Sequence, residues 1–129
     1  MNVLLVTRSD DNESVELVRH ALKKHRAKGV RFDTDHYPTS VGLSTEVTRT
    51  RTKRVLHTAD GPVDLEKLHA IWYRRFLAGG RLPDSLGDMR AACLDESRRQ
   101  LYGTIAACRC FQLDTLRAVR RCDHKELQL

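Results

Sequence analysis

No apolar run in the 129 residues approaches the roughly 20 needed to cross a bilayer as a helix, and no membrane partner is expected. The start, Met1-Asn2-Val3-Leu4-Leu5-Val6, lacks the basic leader and long apolar core of a signal peptide, so the expected compartment is the cytoplasm. Aromatics make up only 5% of the residues and do not interleave with the basic stretches. Without a helix-turn-helix pattern either, the chain does not read as a dedicated nucleic-acid reader, and no DNA partner is expected. The four cysteines (Cys93, Cys108, Cys110, Cys122) include no C-x-x-C pair and follow no secretory signal, which argues against a disulfide framework. Cys108, Cys110, Cys122 and His124 are zinc-ligand types, but their C-x-C and C-x-H spacings lack a second knuckle, so they read as ordinary thiols. Neither G-x-x-x-x-G-K-[ST] nor G-x-G-x-x-G is present, which removes both familiar phosphate cradles, and there is no G-x-S-x-G elbow. Asp33-Thr34-Asp35 has the D-x-D form, yet two carboxylates beside His36 make a poor magnesium site without a further ligand. Asp10-Asp11 follows the first strand as a receiver domain's acidic pair does, but no later strands end in the matching Asp and Lys. Spacing alone therefore assigns no catalytic, cofactor-binding or metal-binding residue.

What is present is an ordinary α/β domain, with 40% apolar residues and a net charge of +6, from 23 basic against 17 acidic residues. Asn2 to Thr7 suits a strand buried on both faces. Val15, Val18 and Leu22 give a helical stripe, with Leu17 and Ala21 widening it. Asp10 and Glu13 have capping-box spacing, Asp11 or Asn12 are alternative caps, and Gly29 is the expected stop. Acids crowd the start of this helix and bases its end, so the basic cluster around Lys23 to Lys28 needs no nucleic acid to explain it. Val30 to Asp33 completes a right-handed βαβ unit. Val41 to Arg49 and Arg54 to Thr58 read as antiparallel strands joined through Thr50 to Lys53, and Val63 to Leu65 as a short third piece after the Asp60-Gly61 turn. Alternation would put Arg49, Arg51 and Lys53 on one face, as a solvated hairpin tip or a contact for an acidic peptide.

The organising stretch is His69 to Arg75. Ala70, Ile71 and Trp72 suit a sheet interior, and Tyr73, Arg74 and Arg75 would emerge at its carboxyl end, where open α/β sheets bind ligands. Arginine forks there suit carboxylates or phosphates. Alternation allows only one of the two to face inward if the strand continues, and Arg74, two residues from Trp72, is the expected one, with Tyr73 on the opposite face. After Gly79 and Gly80, Leu86, Met89, Cys93, Ser97, Leu101, Ile105 and Cys108 form the stripe of one long covering helix. Arg109 to Asp114 is a turn or short extended piece, and Thr115 to Arg120 gives one or two helical turns. Asp123 and Glu126, again at capping-box spacing, read as a helix start leading into a further domain, which divides the chain into 1–122 and 123–129.

Four stretches occurring in order, Val3 to Ser14, Arg31 to Thr39, Ile71 to Arg75 and Asp123 to Leu129, resemble the N-terminal domain of one enzyme family. It is the MvdD-like group of ATP-grasp peptide ligases that mature microviridins and related graspetides. The resemblance covers essentially the whole chain. It implies a three-layer-like pre-ATP-grasp α/β domain, followed in the parent by central and C-terminal domains that bind ATP and magnesium between them. Such ligases phosphorylate a Glu or Asp side chain of a ribosomally made precursor. A Thr or Ser hydroxyl or a Lys amine then displaces phosphate to close an ester or amide ring, and the precursor's leader docks on the enzyme. On this reading Arg8, Tyr73, Arg74 and Arg75 are the substrate-binding residues to expect here. The ATP-binding lysines and magnesium carboxylates would lie beyond Leu129, this chain alone would be inactive, and the parent would be a homodimer. The other open reading is a freestanding domain that binds an acidic peptide or nucleic acid.

Overall fold

Asn2–Thr7 forms strand β1, buried from Val3 onward as a strand covered on both faces must be. A computed structural model of the protein describes residues 1–122, so the Asp123–Glu126 capping pair and the helix start lie outside the described residues. Helix α1 (Glu13–Lys24) crosses over to β2 (Lys28–Asp33), which pairs parallel with β1 from Asn2↔Lys28 to Thr7↔Asp33. The antiparallel insert follows as β3 (Gly42–Val47), β4 (Thr52–Thr58) and β5 (Gly61–Asp64). Then come β6 (Ala70–Tyr73), α2 (Arg90–Ala106), β7 (Phe111–Leu113) and α3 (Leu116–Cys122). The main sheet is parallel, in the order β2-β1-β6-β7.

The two faces of β1 explain the layers. Val3 and Leu5 pack with Val15, Val18, Leu22 and Trp72 on the α1 side. Leu4 and Val6 join Phe32, Leu56, Ile71, Leu101 and Ile105 on the other, where α2 and the insert cover the sheet. The expected three-layer α/β arrangement is what the chain forms. None of the described helices is long and apolar enough to cross a membrane.

Four local expectations change, and one open choice is decided. Leu17, 69% exposed, and Ala21, also exposed, lie outside the α1 stripe, which stays narrow. Gly29 does not stop α1: the helix ends at Lys24, Arg26 takes the left-handed turn at φ 55°, and Gly29 already pairs with Val3 in β2. A Cβ on Gly29 would sit 3.0 Å from Leu22 Cδ1, so its bareness serves the packing of α1 on β2. The long helix is not continuous either. A 3₁₀ segment (Asp84–Met89) precedes α2 and is kinked internally at Gly87, which takes φ 50° and ψ −128°, leaving Met89 63% exposed and outside the stripe. The insert's strands are shifted, since Arg49 and Arg51 belong to the turn and only Lys53 lies in β4, opposite Glu46. Finally, the extended option for Arg109 to Asp114 is the one adopted, as edge strand β7.

Candidate functional site

Parallel pairing brings three strand ends to one edge. β1 stops at Thr7 opposite Asp33 of β2, and β6 stops at Tyr73 opposite Val6. Around this edge stand the β1–α1 turn, the segment after β2, and the chain leaving β6.

Asp11 anchors the edge. It is 6% exposed, accepts from Thr7 Oγ1 at 2.9 Å, and places the same Oδ2 atom 3.4 Å from Arg74 Nε and 3.7 Å from Arg75 Nε. Arg75 Nη1 also lies 4.0 Å from Asp10 Oδ1, and Arg8 Nη2 donates to Asp10 Oδ2 at 3.0 Å. The side chains of Arg8, Arg74 and Arg75 remain 38%, 39% and 43% exposed, so all three still present N–H groups to solvent. The three expected arginines therefore lie together.

The expected division into one inward and one outward arginine does not hold. It required the strand to continue, but the backbone N–H groups of both Arg74 and Arg75 donate to the single carbonyl of Val6, at 2.9 and 3.2 Å. The chain curls there and carries both side chains to one carboxylate. Up to Tyr73 the alternation is regular. Trp72 is half-buried on the α1 side, whereas Tyr73 stacks near Phe76 (centroids 6.0 Å apart), and Phe76 on Tyr102 of α2 (4.1 Å). Tyr73 thus shares its ring with the aromatic stack under α2.

A second knot braces the turn. Ser9 donates to Asp35 through its backbone N–H (2.8 Å) and its hydroxyl (2.7 Å), while Arg81 Nε reaches Asp35 at 3.1 Å and Arg81 Nη2 reaches Ser9 Oγ at 3.1 Å. Burial pushes the Asp35 carboxyl upward, but the Ser9 hydroxyl, the Ser9 and Asp35 backbone N–H groups and Arg81 together hold it below the usual aspartate range. Arg31 adds a clamp from below, donating to Asp33 (2.7 Å), Asn12 Oδ1 (3.0 Å) and the carbonyl of Arg8 (3.0 Å). These contacts displace the expected helix caps. Asp10 and Asp11 face arginines, Asn12 stands at the cap position with its side chain turned to Arg31, and none of them caps α1 with its side chain. Arg81 and the role of Asp35 escaped the sequence, because they meet across 46 positions and only the strand-end register could have revealed them.

Chemically, the exposed guanidinium groups at this edge are of the kind that donate to carboxylates and phosphates. The two buried carboxylates of this edge, Asp11 and Asp35, are both turned toward arginines and so are not arranged as ligands for magnesium. Among the described residues, moreover, no group of three or more His, Cys, Asp or Glu stands close enough to hold a metal ion.

Similar structures share this architecture. The macrocyclase MdnC from Microcystis aeruginosa MRC, solved bound with precursor peptide MdnA, is 38% identical (TM-score 0.91), with 100% of this chain and 42% of that one covered. A Chryseobacterium gregarium RiPP-associated ATP-grasp ligase, in complex with ADP and a leader and core peptide, is 29% identical (TM-score 0.90; 98% and 39% covered). MdnB, also a Microcystis aeruginosa MRC macrocyclase, is 28% identical (TM-score 0.82; 100% and 47% covered). The chain thus spans less than half the length of each of these proteins. No curated protein sequence matches it. The family model described as the MvdD pre-ATP grasp domain matches residues 2–120, and the chain belongs to that family.

Proposed function

We propose that this chain is the N-terminal domain of an ATP-dependent peptide ligase that closes side-chain ester or amide rings in a ribosomally made precursor peptide, in the cytoplasm. ATP would supply the phosphoryl group that turns a precursor carboxylate into an acyl phosphate, and a hydroxyl or amine would then displace phosphate. The nucleotide and magnesium would be held by the remainder of such an enzyme, so the domain by itself is expected to be inactive. Its own contribution is positional. Arg74 and Arg75, flanked by Arg8, would hold the precursor's acidic side chain while it is activated.

One observation carries this reading: both guanidinium groups set Nε beside one buried carboxylate, at 3.4 and 3.7 Å, while remaining 39% and 43% exposed at the carboxyl edge of the sheet. A lysine in either place keeps the ion pair and loses the planar fork. A hydrogen bond to a charged group is worth about 1.5–3 kcal/mol, so Arg74→Lys and Arg75→Lys should each slow ring closure roughly ten- to a hundredfold in the full-length enzyme. The assay is mass spectrometry of the precursor, with melting temperature as the folding check. Full turnover in both variants would refute the assignment.

A further inference from the structure

A second cationic feature lies apart from the sheet edge, at the tip of the antiparallel insert. A groove of about 470 Å³ there is lined by Arg49, Arg51, Arg54 and Arg109, with Thr50 and Thr52 between them. We propose that this groove binds an acidic peptide segment through its side-chain carboxylates.

The ordinary explanation for such charge is that it blocks sheet-to-sheet aggregation at an exposed edge. That role needs charges spread along the hairpin, and here one comes from elsewhere. Arg109 lies in the loop between α2 and β7, some distance along the chain, yet it opens onto the same groove. Register supports the convergence. Thr52 and Arg54 are two apart in β4 and share a face, whereas Lys53, opposite Glu46, lies on the other. The cations are also unevenly satisfied. Arg54 is 16% exposed and fixed to Glu66 at 2.8 Å, and Arg51 stands 3.7 Å from Glu46 with both side chains more than half exposed. Among the described residues, Arg49 and Arg109 have no acidic partner. The tip that carries Arg49 and Arg51 is pinned by its own bonds. Thr48 N donates to the Arg51 carbonyl at 2.9 Å, and Arg51 N to Thr48 Oγ1 at 3.1 Å. Less ordering entropy is then lost when a ligand arrives.

The volume falls within the range of about 300–1,000 Å³ typical of ligand pockets, and the lining is almost wholly polar. Threonine hydroxyls and guanidinium forks both donate to carboxylates. Nucleic acid suits the groove less well. No aromatic ring lines it for base stacking, and Glu66 stands within it. A phosphate chain, charged at every unit, would run against Glu66, whereas a peptide can place its carboxylates on either side. This inference stands independently of whether Arg74 and Arg75 hold the reacting carboxylate.

Fluorescence anisotropy on the protein tests it, using a short fluorescein-labelled peptide of alternating Glu and Ser, the same peptide with Gln for Glu, and a labelled oligothymidylate of equal length. The Glu peptide should bind and the Gln peptide should not. Arg49→Gln combined with Arg109→Gln should weaken binding about tenfold or more, while Lys23→Gln combined with Lys24→Gln, which removes the same charge from the exposed end of α1, should leave it within about twofold. No binding of the Glu peptide, unchanged binding in the Arg49 and Arg109 variant, an equal loss in the Lys23 and Lys24 variant, or tighter binding of oligothymidylate would each overturn the proposal. If the Arg49 and Arg109 variant melts early, amide chemical-shift mapping of the unaltered protein with the Glu peptide decides instead. Shifts gathered at residues 48–54 and around Arg109 support the groove, and shifts gathered elsewhere overturn it.

Discussion

Asp11 performs two tasks that substitution can separate: it accepts the Thr7 hydroxyl, and it faces two arginines. Asp11→Asn keeps an oxygen for Thr7 and removes the charge, whereas Asp11→Ala removes both. Arg74 and Arg75 are more than a third exposed, so solvent screening limits each lost ion pair to at most about 1 kcal/mol. Thr7 is a different case. It is 0% exposed, and a buried donor left without its acceptor costs about 1–3 kcal/mol. The expected losses are therefore about 0.5–2 kcal/mol for Asp11→Asn and about 2–4 kcal/mol for Asp11→Ala. Urea unfolding at neutral pH, read from the fluorescence of Trp72 on the neighbouring strand, gives both values. Added salt should shrink the Asn effect and leave most of the further Ala loss in place. Equal losses in the two variants would show that the charge, not the buried hydroxyl, dominates. No loss in Asp11→Ala would refute the view that this residue anchors the edge.

Glycines give an opposed pair. Gly79 has φ +75° and its Cβ would fall 2.5 Å from Leu94 Cδ1, so Gly79→Ala should destabilise by about 2–4 kcal/mol. Gly103 sits inside α2 with nothing within 4 Å of its Cβ position, so Gly103→Ala should stabilise by about 0.5–1 kcal/mol; thermal melts that reverse this order would refute the packing described. Because Asp35 is held below its ordinary value of 3.8, its contribution is full above that pH and is lost as pH falls through the lower folded value. Ser9→Ala should flatten the acid limb of stability, and curves parallel to the unaltered protein between about pH 5 and about pH 2 would count against the knot. The Cys108 thiol is pushed up to about 11 by burial first, with Cys110 and Glu66 adding to the shift and Arg54 opposing it. Iodoacetamide at mildly alkaline pH should label exposed Cys122 in the native protein and Cys108 only after unfolding; native labelling of Cys108 at a comparable rate would contradict its burial.

The parallel sheet was legible because its signal is local. Asn2 to Thr7 is a single apolar run, and the alternation through Ile71, Trp72 and Tyr73 sorts correctly onto the two faces. The insert was harder to bound. Its tip reads Thr48-Arg49-Thr50-Arg51-Thr52, and β-branched threonines look strand-like even where Thr48 bonds its own turn and ends the strand. The covering helix was over-extended for a related reason, since Leu86 and Met89 keep helical spacing but nothing in spacing registers the backbone that Gly87 adopts.

The site shows a different limit, because one short stretch supported two local readings. Asp10, Asp11 and Asn12 all look like caps for α1, and a cap is worth about 1 kcal/mol. Tertiary structure offers these side chains more: Asp11 receives a buried hydroxyl and two arginines, and Asn12 receives Arg31. The helix goes without a side-chain cap, and the acids go to the edge. Charge neutralisation alone does not explain the result. Arg74, Arg75 and Arg81 each set Nε nearest a buried acid, at 3.4, 3.7 and 3.1 Å, while the side chains stay 39%, 43% and 51% exposed. An acid that only cancelled charge could take the outer nitrogens and bury the group. Acids that face the inner nitrogen turn the outer fork toward something that arrives from outside, and that is how two buried carboxylates, Asp11 and Asp35, sit at an edge proposed to bind another.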